Sequence, residues 1–376
     1  MFDRPGHGTE AVLVSLDFGD PYHAESVEEM AQLVASAGVA ARAVVKGRRQ
    51  RPDAALFAGS GKVAEIADSV NVHHAPLVIF NHDLSPVQER NLEQRLQCRV
   101  VDRTSLILDI FAQRARSHEG KLQVELAQLE HLSTRLVRGW SHLERQKGGI
   151  GLRGPGETQL ETDRRLLAKR VKVLKEKLVK VRRQREVQRR ARSRAKVLSV
   201  SLVGYTNAGK STLFNRLTRA GAYAADQLFA TLDTTTRRVH LERGGAVVLS
   251  DTVGFIRHLP HTLVAAFRAT LEETARADLL LHVVDASSAT RDAQIAAVNQ
   301  VLSEIGADEI PQVLVYNKID RTRFDARSER DEYGRISRAW ISARTGTGLN
   351  LVQLALEEYA SGMARSPEVI TSPAAV

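Results

Sequence analysis

The amino-acid sequence predicts an α/β protein in three parts: a small parallel βαβ subdomain, a long antiparallel helical hairpin, and a second, larger α/β domain. Two observations lead to this fold class. Short apolar segments alternate with helical patterns at both ends of the chain, which is typical of βαβ units that form a parallel sheet. Between these ends, apolar residues recur at spacings of three, four or seven, which indicates long amphipathic helices.

The composition is that of an ordinary globular protein, with 376 residues of which 43% are hydrophobic and 26% are charged. This length predicts two or three domains. No apolar run is long enough to span a bilayer, and the N-terminus lacks the pattern of a secretory signal. The one cysteine, Cys98, excludes an intrachain disulfide. We therefore expect a cytoplasmic protein without a membrane span, and we take it to be a monomer in solution.

Residues 1–118 form the predicted N-terminal α/β subdomain. The segment Gly59-Ser60-Gly61-Lys62-Val63 imitates a phosphate-binding loop. However, position 56 is Leu and Val63 has no hydroxyl for a metal ion, so we interpret the segment as a glycine turn at the start of a helix. The predicted strands are Ala11–Leu16, Ala41–Val45, Leu77–Phe80 and Arg99–Val101, and the predicted helices are Val27–Ala37, Lys62–Val70 and Pro86–Leu96.

Residues 119–196 form the predicted helical hairpin. Two apolar seams are separated by a glycine-rich segment, residues 148–156, and long helices joined in this way can pair antiparallel. The first seam contains Leu122, Leu126, Leu129, Leu136, Trp140 and Leu143, and the second contains Leu160, Leu167, Val171, Leu174, Leu178 and Val181.

The second helix of this hairpin is strongly basic. Residues 164–196 contain 16 Lys or Arg and two acidic residues, a local charge of +14, whereas the whole chain has a net charge of +10. The excess positive charge is therefore local. It indicates a polyanionic partner, and a solvated charged face is the alternative interpretation.

Residues 197–362 form the predicted second α/β domain, and residues 363–376 a flexible tail. Apolar β-rich segments again alternate with helical patterns through this domain. The predicted strands are Val197–Val203, Arg238–Leu241, Val247–Asp251, Leu279–Asp285, Val313–Tyr316 and Ala339–Ile341.

A phosphate-binding loop follows the first strand of this domain. The segment Gly204-Tyr205-Thr206-Asn207-Ala208-Gly209-Lys210-Ser211 matches the complete template, and Thr212 begins the helix after it. The two glycines let the backbone lie close to phosphate groups, and the loop N–H groups point at the anion. We expect Lys210 to contact the β- and γ-phosphates and Ser211 to bind Mg²⁺.

Two further segments complete the predicted phosphate site. Asp251-Thr252-Val253-Gly254 follows an apolar strand, so that its carboxylate can bind Mg²⁺ and its glycine N–H can meet the γ-phosphate. Upstream of it lies a switch segment, Phe229-Ala230-Thr231-Leu232-Asp233, whose threonine would close on Mg²⁺ and γ-phosphate when GTP is bound. We favour Thr231 over its neighbours Thr234, Thr235 and Thr236. A β-prone loop without a switch role is the alternative.

Guanine recognition is predicted at two other strand ends. In Asn317-Lys318-Ile319-Asp320, the Asp320 carboxylate can accept from both N1–H and the N2 amine of guanine, a pair of donors that adenine lacks. Asn317 can contact the purine edge, and the stem of Lys318 can cover the ring. Ser342-Ala343-Arg344 ends the next strand, where backbone N–H groups can reach guanine O6.

These motifs occur in the order of a Ras-like P-loop G domain, each at the end of a predicted strand. An ATPase of the same fold would lack the Asn-Lys-x-Asp segment. The sequence therefore predicts a GTP hydrolase. Its predicted catalytic residues are Lys210, Thr231 and Gly254, and its predicted Mg²⁺ ligands are Ser211, Thr231 and Asp251.

Together with upstream segments, the chain resembles the translation-factor-related GTPases and, within them, the HflX family. The residues that carry the resemblance extend over nearly the whole chain, and the most specific are Gly148–Arg165, with Gly154-Pro155-Gly156-Glu157-Thr158-Gln159 at their centre. The others are Leu84–Leu92, Asp102-Arg103-Thr104, Leu106–Arg114 and Gln123–Gln128.

The resemblance implies a function on the ribosome. Members of this family bind the large ribosomal subunit and its rRNA near the peptidyl-transferase region, and in the GTP-bound form they help to separate stalled or idle subunits. The basic helix of this chain would then contact rRNA phosphates. One alternative is a GTP-dependent regulator of RNA remodelling or RNA processing that does not act on whole ribosomes. Another is a membrane-surface regulator, which the lack of interfacial aromatic residues on the basic helix disfavours.

The residue after Gly254 points to slow intrinsic hydrolysis. Ras-type enzymes have a glutamine there that orients the attacking water. This chain has Phe255, which has no hydrogen-bonding atom, so the ribosome, a switch residue or a monovalent cation would have to supply the missing element. Asn207 resembles the asparagine that binds K⁺ in some related GTPases, and K⁺ is therefore a candidate cofactor.

Overall fold

The computed structural model describes residues 9–139, 155–193, 197–219, 228–243, 245–257 and 268–365, which form two compact units. Among these residues, the first unit contains 9–139, 155–182 and 228–229, and the second contains the remainder. The glycine-rich segment 148–154, residues 194–196 and most of the predicted tail lie outside the described residues. No helix in the described part of the chain is long and apolar enough to cross a membrane.

The first unit is built on a four-stranded parallel sheet with the order β2-β1-β3-β4. Its strands are β1 (Glu10–Asp17), β2 (Ala40–Arg48), β3 (Leu77–Phe80) and β4 (Arg99–Val101). Its connecting helices are α1 (His23–Ser36), α2 (Ser60–His73), α3 (Pro86–Leu96) and α4 (Arg103–Arg114). The predicted βαβ alternation is therefore confirmed.

Local capping explains where two of these helices begin. Ser85 and Gln88 form a reciprocal capping box at the start of α3, next to Pro86 at the first helical position. The Asp102 carboxylate caps α4 by accepting from the Ser105 N–H at 2.8 Å. Helix α4 is not among the helices that the sequence predicted, although its cap residue is part of the family resemblance.

One face of the sheet buries a continuous apolar cluster. The side chains come from alternating positions of the strands and from the inner faces of the helices, as expected for a sheet covered by helices. The fully buried members include Val12, Val14, Ile66, Val78, Phe80 and Leu92.

Two long helices follow the sheet, α5 (His118–Gly139) and α6 (Pro155–Ser193). They pack through Leu122, Leu126, Leu174 and Leu178, members of the two predicted seams. The ion pairs Arg170–Glu125 at 2.6 Å and Lys175–Glu130 at 2.8 Å flank this contact. The pairing of two long helices agrees with the predicted hairpin, while Trp140 and Leu143 lie outside the described residues.

The second unit is built on a seven-stranded sheet with the order β10-β11-β9-β8-β5-β7-β6. The strands are β5 (Leu198–Gly204), β6 (Thr235–His240), β7 (Ala246–Asp251), β8 (Leu279–Asp285), β9 (Gln312–Asn317), β10 (Arg327–Arg330) and β11 (Ile336–Trp340). The described helices are α7 (Lys210–Thr218), α8 (Arg268–Ala275), α9 (Arg291–Glu304) and α10 (Leu349–Arg365).

The sheet is parallel except at its two edges, where β6 pairs antiparallel with β7 and β10 pairs antiparallel with β11. Strand β10 was not predicted. Its sequence, Arg-Ser-Glu-Arg, has no apolar residue, and it forms because the neighbouring strand offers a free edge. The central strands β5, β7, β8 and β9 run parallel, so their carboxyl ends meet at one edge of the sheet. Ligands of open α/β sheets bind at that edge.

Candidate nucleotide-binding site

The phosphate-binding loop connects the central strand β5 to helix α7. Gly204 and Gly209 have φ angles of 145° and 95°, which favour glycine. A Cβ at Gly204 would lie 2.2 Å from the carbonyl oxygen of Val283, and a Cβ at Gly209 would lie 2.2 Å from Nδ2 of Asn317. Both ends of the loop are therefore packed too closely for any side chain.

Lys210, the first residue of α7, folds back over the loop. Its Nζ donates to the carbonyl oxygens of Gly204 at 3.1 Å and Tyr205 at 2.9 Å, and the residue is 5% exposed. Burial lowers the pKa of Lys210 to about 8, and the Asp251 carboxylate partly opposes this shift. An ammonium group held by carbonyls in a dry loop is positioned to bind an anion such as a phosphate.

Three oxygen-bearing side chains meet at the start of α7. The Ser211 hydroxyl lies 2.7 Å from Oδ2 of Asp251 and 2.7 Å from the Thr231 hydroxyl, which donates to the same Oδ2 at 3.1 Å. The other oxygen, Oδ1 of Asp251, is buried without a hydrogen-bond partner among the described residues. Burial raises the pKa of Asp251, and the hydrogen bond from Ser211 opposes that rise.

This cluster fits a Mg²⁺ site. Mg²⁺ prefers hard oxygen ligands and usually binds through one or two protein groups together with phosphate and water. One carboxylate with an unused oxygen and two hydroxyl groups meet that requirement. Within the described residues there is no group of three or more His, Cys, Asp or Glu side chains that could bind a metal without such help.

The structure distinguishes among the threonines of the switch segment. Thr231 lies beside Ser211 and Asp251, as described above. Thr236 instead belongs to β6, and its hydroxyl lies 3.2 Å from Oγ of Ser250. Thr231 is therefore the threonine placed to share a cation with the loop.

We predicted Phe229 among the nucleotide-binding residues, but its side chain packs on Phe111. It belongs to the first unit, where its ring packs edge to face on Phe111 with centroids 4.7 Å apart. Its φ is 55° and it is 2% exposed. Its neighbours Ala230 and Asp233 are half-buried, and Leu232 is buried. The position of this segment between the phosphate loop and Asp251 predicts a switch, but it does not predict which of its side chains face the loop.

The segment after β7 is joined to the phosphate loop by backbone hydrogen bonds. Thr206 N–H donates to the Phe255 carbonyl at 2.7 Å, and Phe255 N–H donates to the Gly204 carbonyl at 3.1 Å. A Cβ at Gly254 would lie 2.8 Å from Cα of Thr206 and 3.1 Å from Nζ of Lys210. Glycine at 254 therefore lets the backbone lie closer to the phosphate loop and to Lys210 than any other residue would allow.

Phe255 itself is 1% exposed. Its side chain packs inside the protein and has no polar atom that could orient a water molecule. Thr252 and Val253 are also buried, and the Thr252 hydroxyl donates to the Leu202 carbonyl at 2.6 Å. The polar contribution of this segment is thus Asp251 and the backbone at Gly254.

The residues predicted to recognise the base lie at the carboxyl ends of β9 and β11. Asn317 is 3% exposed, and its Nδ2 donates to the Ala208 carbonyl at 2.9 Å while its Oδ1 accepts from the Ala343 N–H at 2.8 Å. Asp320 is exposed, and its Oδ1 accepts from the buried Ser342 hydroxyl at 2.6 Å. A carboxylate oriented by one hydrogen bond and open to solvent can accept from a base.

Lys318 has a partner that the sequence interpretation did not include. Its φ is 66°, and its Nζ binds Oδ2 of Asp285 at 2.7 Å. Asp285 ends β8, and its other oxygen accepts from the Ser287 N–H at 2.9 Å. The sequence could have indicated Asp285, because it is a carboxylate at the end of a predicted apolar strand, and ligand-binding groups of open α/β sheets lie at such strand ends. Ile319 is buried below this loop, and Arg344 is exposed.

Comparison with known proteins identifies the parts of the chain. Residues 24–112 match the family profile described as GTP-binding GTPase N-terminal, and residues 114–192 match the GTP-binding GTPase Middle Region. Residues 199–318 match the profile described as 50S ribosome-binding GTPase. A solved structure described as SsGBP in complex with GDP aligns over 95% of this chain and 99% of its own, with a TM-score of 0.53 and 24% identity, and so supports the fold.

Two curated relatives match over most of their length. GTPase HflX of Escherichia coli (strain K12) is 60% identical over 363 residues, which cover 96% of this chain and 85% of that protein. GTPase HflX of Magnetococcus marinus is 51% identical over 324 residues, covering 86% and 75%. The chain therefore belongs to the HflX family of GTPases, and it is a P-loop enzyme that hydrolyses GTP.

Proposed function

We propose that this GTPase binds the large ribosomal subunit through its rRNA and acts as a GTP-dependent ribosome splitting, recycling or rescue factor. The observation that carries the proposal is the basic outer face of helix α6. The profile matched by residues 199–318 is described as that of a 50S ribosome-binding GTPase, which supports the same partner.

The basic residues of α6 lie outside its apolar contact with α5, and two of them, Arg170 and Lys175, pair with Glu125 and Glu130 of α5. Leu174 and Leu178 are buried in that contact, whereas every Lys or Arg of the helix whose side chain is described is exposed. These residues are Arg164, Arg165, Lys169, Arg170, Lys172, Lys175, Lys177, Lys180 and Arg183. A row of cations along a helix binds a phosphate backbone mainly by releasing counterions, without reading sequence.

The proposed roles in GTP binding follow from the geometry of the loop. Lys210 and the backbone N–H groups of residues 204–211 bind the phosphates, and the Gly254 N–H contacts the γ-phosphate. Mg²⁺, held by Ser211, Thr231 and Asp251, would neutralise charge that develops on the phosphate oxygens. Thr231 would share this cation with the γ-phosphate when GTP is bound.

The proposed roles in base recognition concern the other end of the site. Asp320 accepts from guanine N1–H and the N2 amine, and Lys318 covers the ring from the position that Asp285 gives it. Asn317 contacts the purine edge and connects the base site to the phosphate loop. In the loop Ser342-Ala343-Arg344, the N–H groups of Ser342 and Ala343 donate to Thr347 and Asn317, so the Arg344 N–H is the donor proposed for O6.

We also propose that the protein alone is a slow catalyst. Phe255 is buried and has no polar atom to orient water, so part of the transition-state stabilisation must come from outside this side chain. Asn207, at φ 59° in the middle of the loop, is a candidate ligand for K⁺. If K⁺ contributes, GTP turnover in potassium buffer exceeds turnover in sodium buffer about tenfold, and equal rates would contradict the assignment.

Co-sedimentation with purified large ribosomal subunits tests the partner. We expect the protein to pellet with the subunits in the presence of a non-hydrolysable GTP analogue and to remain in the supernatant with GDP. Binding to isolated rRNA fragments without binding to subunits would favour the RNA-remodelling alternative. No binding, or binding that is the same with both nucleotides, would overturn the proposal.

A charge-reversal pair tests whether helix α6 makes the contact. Lys177→Glu with Lys180→Glu should weaken subunit binding about tenfold or more and reduce its salt dependence. Arg276→Glu with Arg238→Glu is the matched control, since it changes the same charge at exposed positions of the second unit. Equal losses for the two pairs would indicate a general charge effect.

A further inference from the structure

Hydrogen bonds connect the loop after β11 both to the phosphate loop and to helix α7, which follows the phosphate loop along the chain. Together with the backbone from Ala208 to Arg216, they form a closed path, which is called the circuit below. The circuit passes from the Ala208 carbonyl to Asn317 at 2.9 Å and from Asn317 to the Ala343 N–H at 2.8 Å. Arg216, on the helix that follows the phosphate loop, completes it. Its Nε donates to the Ala343 carbonyl at 3.1 Å, and its Nη2 donates to the Arg344 carbonyl at 2.5 Å.

The contact of Arg216 is specific in geometry. Two donors of one planar guanidinium group bind the carbonyls of two consecutive residues, which lie 127 and 128 positions further along the chain. This arrangement uses the fixed spacing of the guanidinium donors, which a lysine does not have. A residue needed only for surface charge has no reason to adopt it.

The bound carbonyls determine where the adjacent N–H groups point. In a trans peptide the C=O and the N–H point in opposite directions. When the Ala343 carbonyl is turned toward Arg216, the Arg344 N–H of the same peptide is turned away from it. Ser342 restrains the same loop from its other side, because its Oγ accepts from the Thr345 N–H at 3.2 Å and donates to Asp320 at 2.6 Å.

We infer that Arg216 is a positioning residue for guanine recognition: by binding the Ala343 carbonyl, it orients the Arg344 N–H of the same peptide to meet O6 of the base. The inference rests on the role proposed above for the loop Ser342-Ala343-Arg344. Arg216 acts through the loop and does not touch the nucleotide. Its connection to α7 also couples the position of the base loop to that of the phosphate loop.

The test combines a substitution with a change in the base. Dissociation constants are measured for GDP and for 6-thioguanosine diphosphate, which keeps N1–H and the 2-amine but has sulfur, a weak acceptor, in place of O6. In the unsubstituted protein, loss of O6 should raise Kd about tenfold. In Arg216→Ala, Kd for GDP should itself rise about tenfold, and loss of O6 should then add less than about twofold, because the Arg344 N–H is no longer held toward the base.

Three further measurements separate positioning from general destabilisation. Arg216→Lys has one compact donor group, so its dissociation constants should lie between those of the unsubstituted protein and Arg216→Ala. It replaces the alanine variant in the test if that variant does not fold. Arg219→Ala removes the same charge from the end of the same helix and should leave both dissociation constants within about twofold. For GTP hydrolysis by Arg216→Ala, KM should rise about tenfold while kcat changes less than twofold.

The outcomes separate a failure of the proposed loop role from a failure of the inference about Arg216. If loss of O6 has no effect in the unsubstituted protein, the proposed role of the Ser342-Ala343-Arg344 loop fails. If loss of O6 costs tenfold in both the unsubstituted protein and Arg216→Ala, the loop role stands and the inference about Arg216 is overturned.

Discussion

Each unit contains a glycine turn that is followed by a lysine and begins a helix, and the two turns differ in what surrounds the lysine. In the first unit, Gly59 precedes α2, and the Arg49 guanidinium fills the space where a Cβ at Gly59 would lie. Lys62 is partly exposed and binds the carboxylate of Glu65 at 2.6 Å. In the second unit, Lys210 is buried and is held by carbonyls of its own loop.

The edges at the carboxyl ends of the strands also differ between the two sheets, in the partners of their polar side chains. In the first unit, Asn81 Nδ2 binds the hydroxyl of Ser15 at 3.2 Å, and Arg103 binds Asn81 Oδ1 at 2.7 Å and Glu29 at 2.5 Å. In the second unit, the edge leaves one oxygen of Asp251 without a described partner. A glycine-lysine turn therefore becomes a candidate phosphate site through the polar groups left available around it, and the turn alone is not sufficient.

The largest expected effect concerns the two lysines. Lys210→Ala should lower kcat/KM for GTP about a thousandfold, because it removes the cation from a dry loop. Lys62→Ala is the matched substitution in the first unit and should change kcat/KM less than twofold. Steady-state phosphate release checks both, and a comparable loss in the two variants would contradict the distinction between the turns.

The polar edge of the first sheet should matter for stability. Arg103→Ala leaves Glu29 and Asn81 without their buried partner, so the free energy of opening of strands β1 and β3 should fall by about 3–5 kcal/mol. Hydrogen exchange of the strand amides measures this quantity. Arg95→Ala, at an exposed position of α3, should stay within about 0.5 kcal/mol. GDP affinity should be the same in both variants if this edge is structural.

The glycines provide a third comparison. Gly209→Ala places a methyl group 2.2 Å from Asn317 Nδ2 at a φ of 95°, and we expect GDP affinity to fall about a hundredfold. A Cβ at Gly61, in α2, meets no described atom within 4 Å. Gly61→Ala should therefore bind GDP normally and unfold at the same or a slightly higher temperature. Calorimetric titration and thermal melting report the two quantities, and normal binding by Gly209→Ala would contradict the packing argument.

The smallest expected effect is on pH dependence. The pKa of Lys210 is lowered to about 8, so the loop loses its cation as pH rises through that value, whereas bound phosphate favours the protonated form. GDP affinity should fall about tenfold between pH 7 and pH 9. Because the unfolded chain binds more protons than the folded chain between about pH 8 and pH 10.5, this residue contributes more to folding stability as pH rises. A flat affinity profile would show that Lys210 stays charged.

The sequence predicted much of the site because its motifs are local. Strand ends and the loop from Gly204 to Ser211 follow from apolar runs and from a template that extends over eight residues. Strand β10 was missed because Arg-Ser-Glu-Arg has no apolar pattern and its pairing with β11 is decided by the neighbouring edge. Asp285 and Arg216 were missed for a related reason, since each acts on residues more than 30 positions away.

The placement of Phe229 marks another limit. An aromatic side chain next to a functional threonine can face either side of the chain, and its packing on Phe111 depends on a helix more than a hundred residues upstream. Helix α4 itself lacked a clear signal in the alternation of strands and helices, although Asp102 provides its cap. Contacts of this range are decided by tertiary packing, which residue spacing does not encode.

The cluster of Ser211, Thr231 and Asp251 has fewer hydroxyl protons than short oxygen–oxygen contacts. Three short oxygen–oxygen contacts are present, of 2.7, 2.7 and 3.1 Å, but two hydroxyl groups supply only two protons to an ionised carboxylate. One contact must therefore bring lone pairs together. When both hydroxyls donate to Asp251, that contact is the one between Ser211 and Thr231, and a bound cation held by this cluster would relieve the electrostatic repulsion between them.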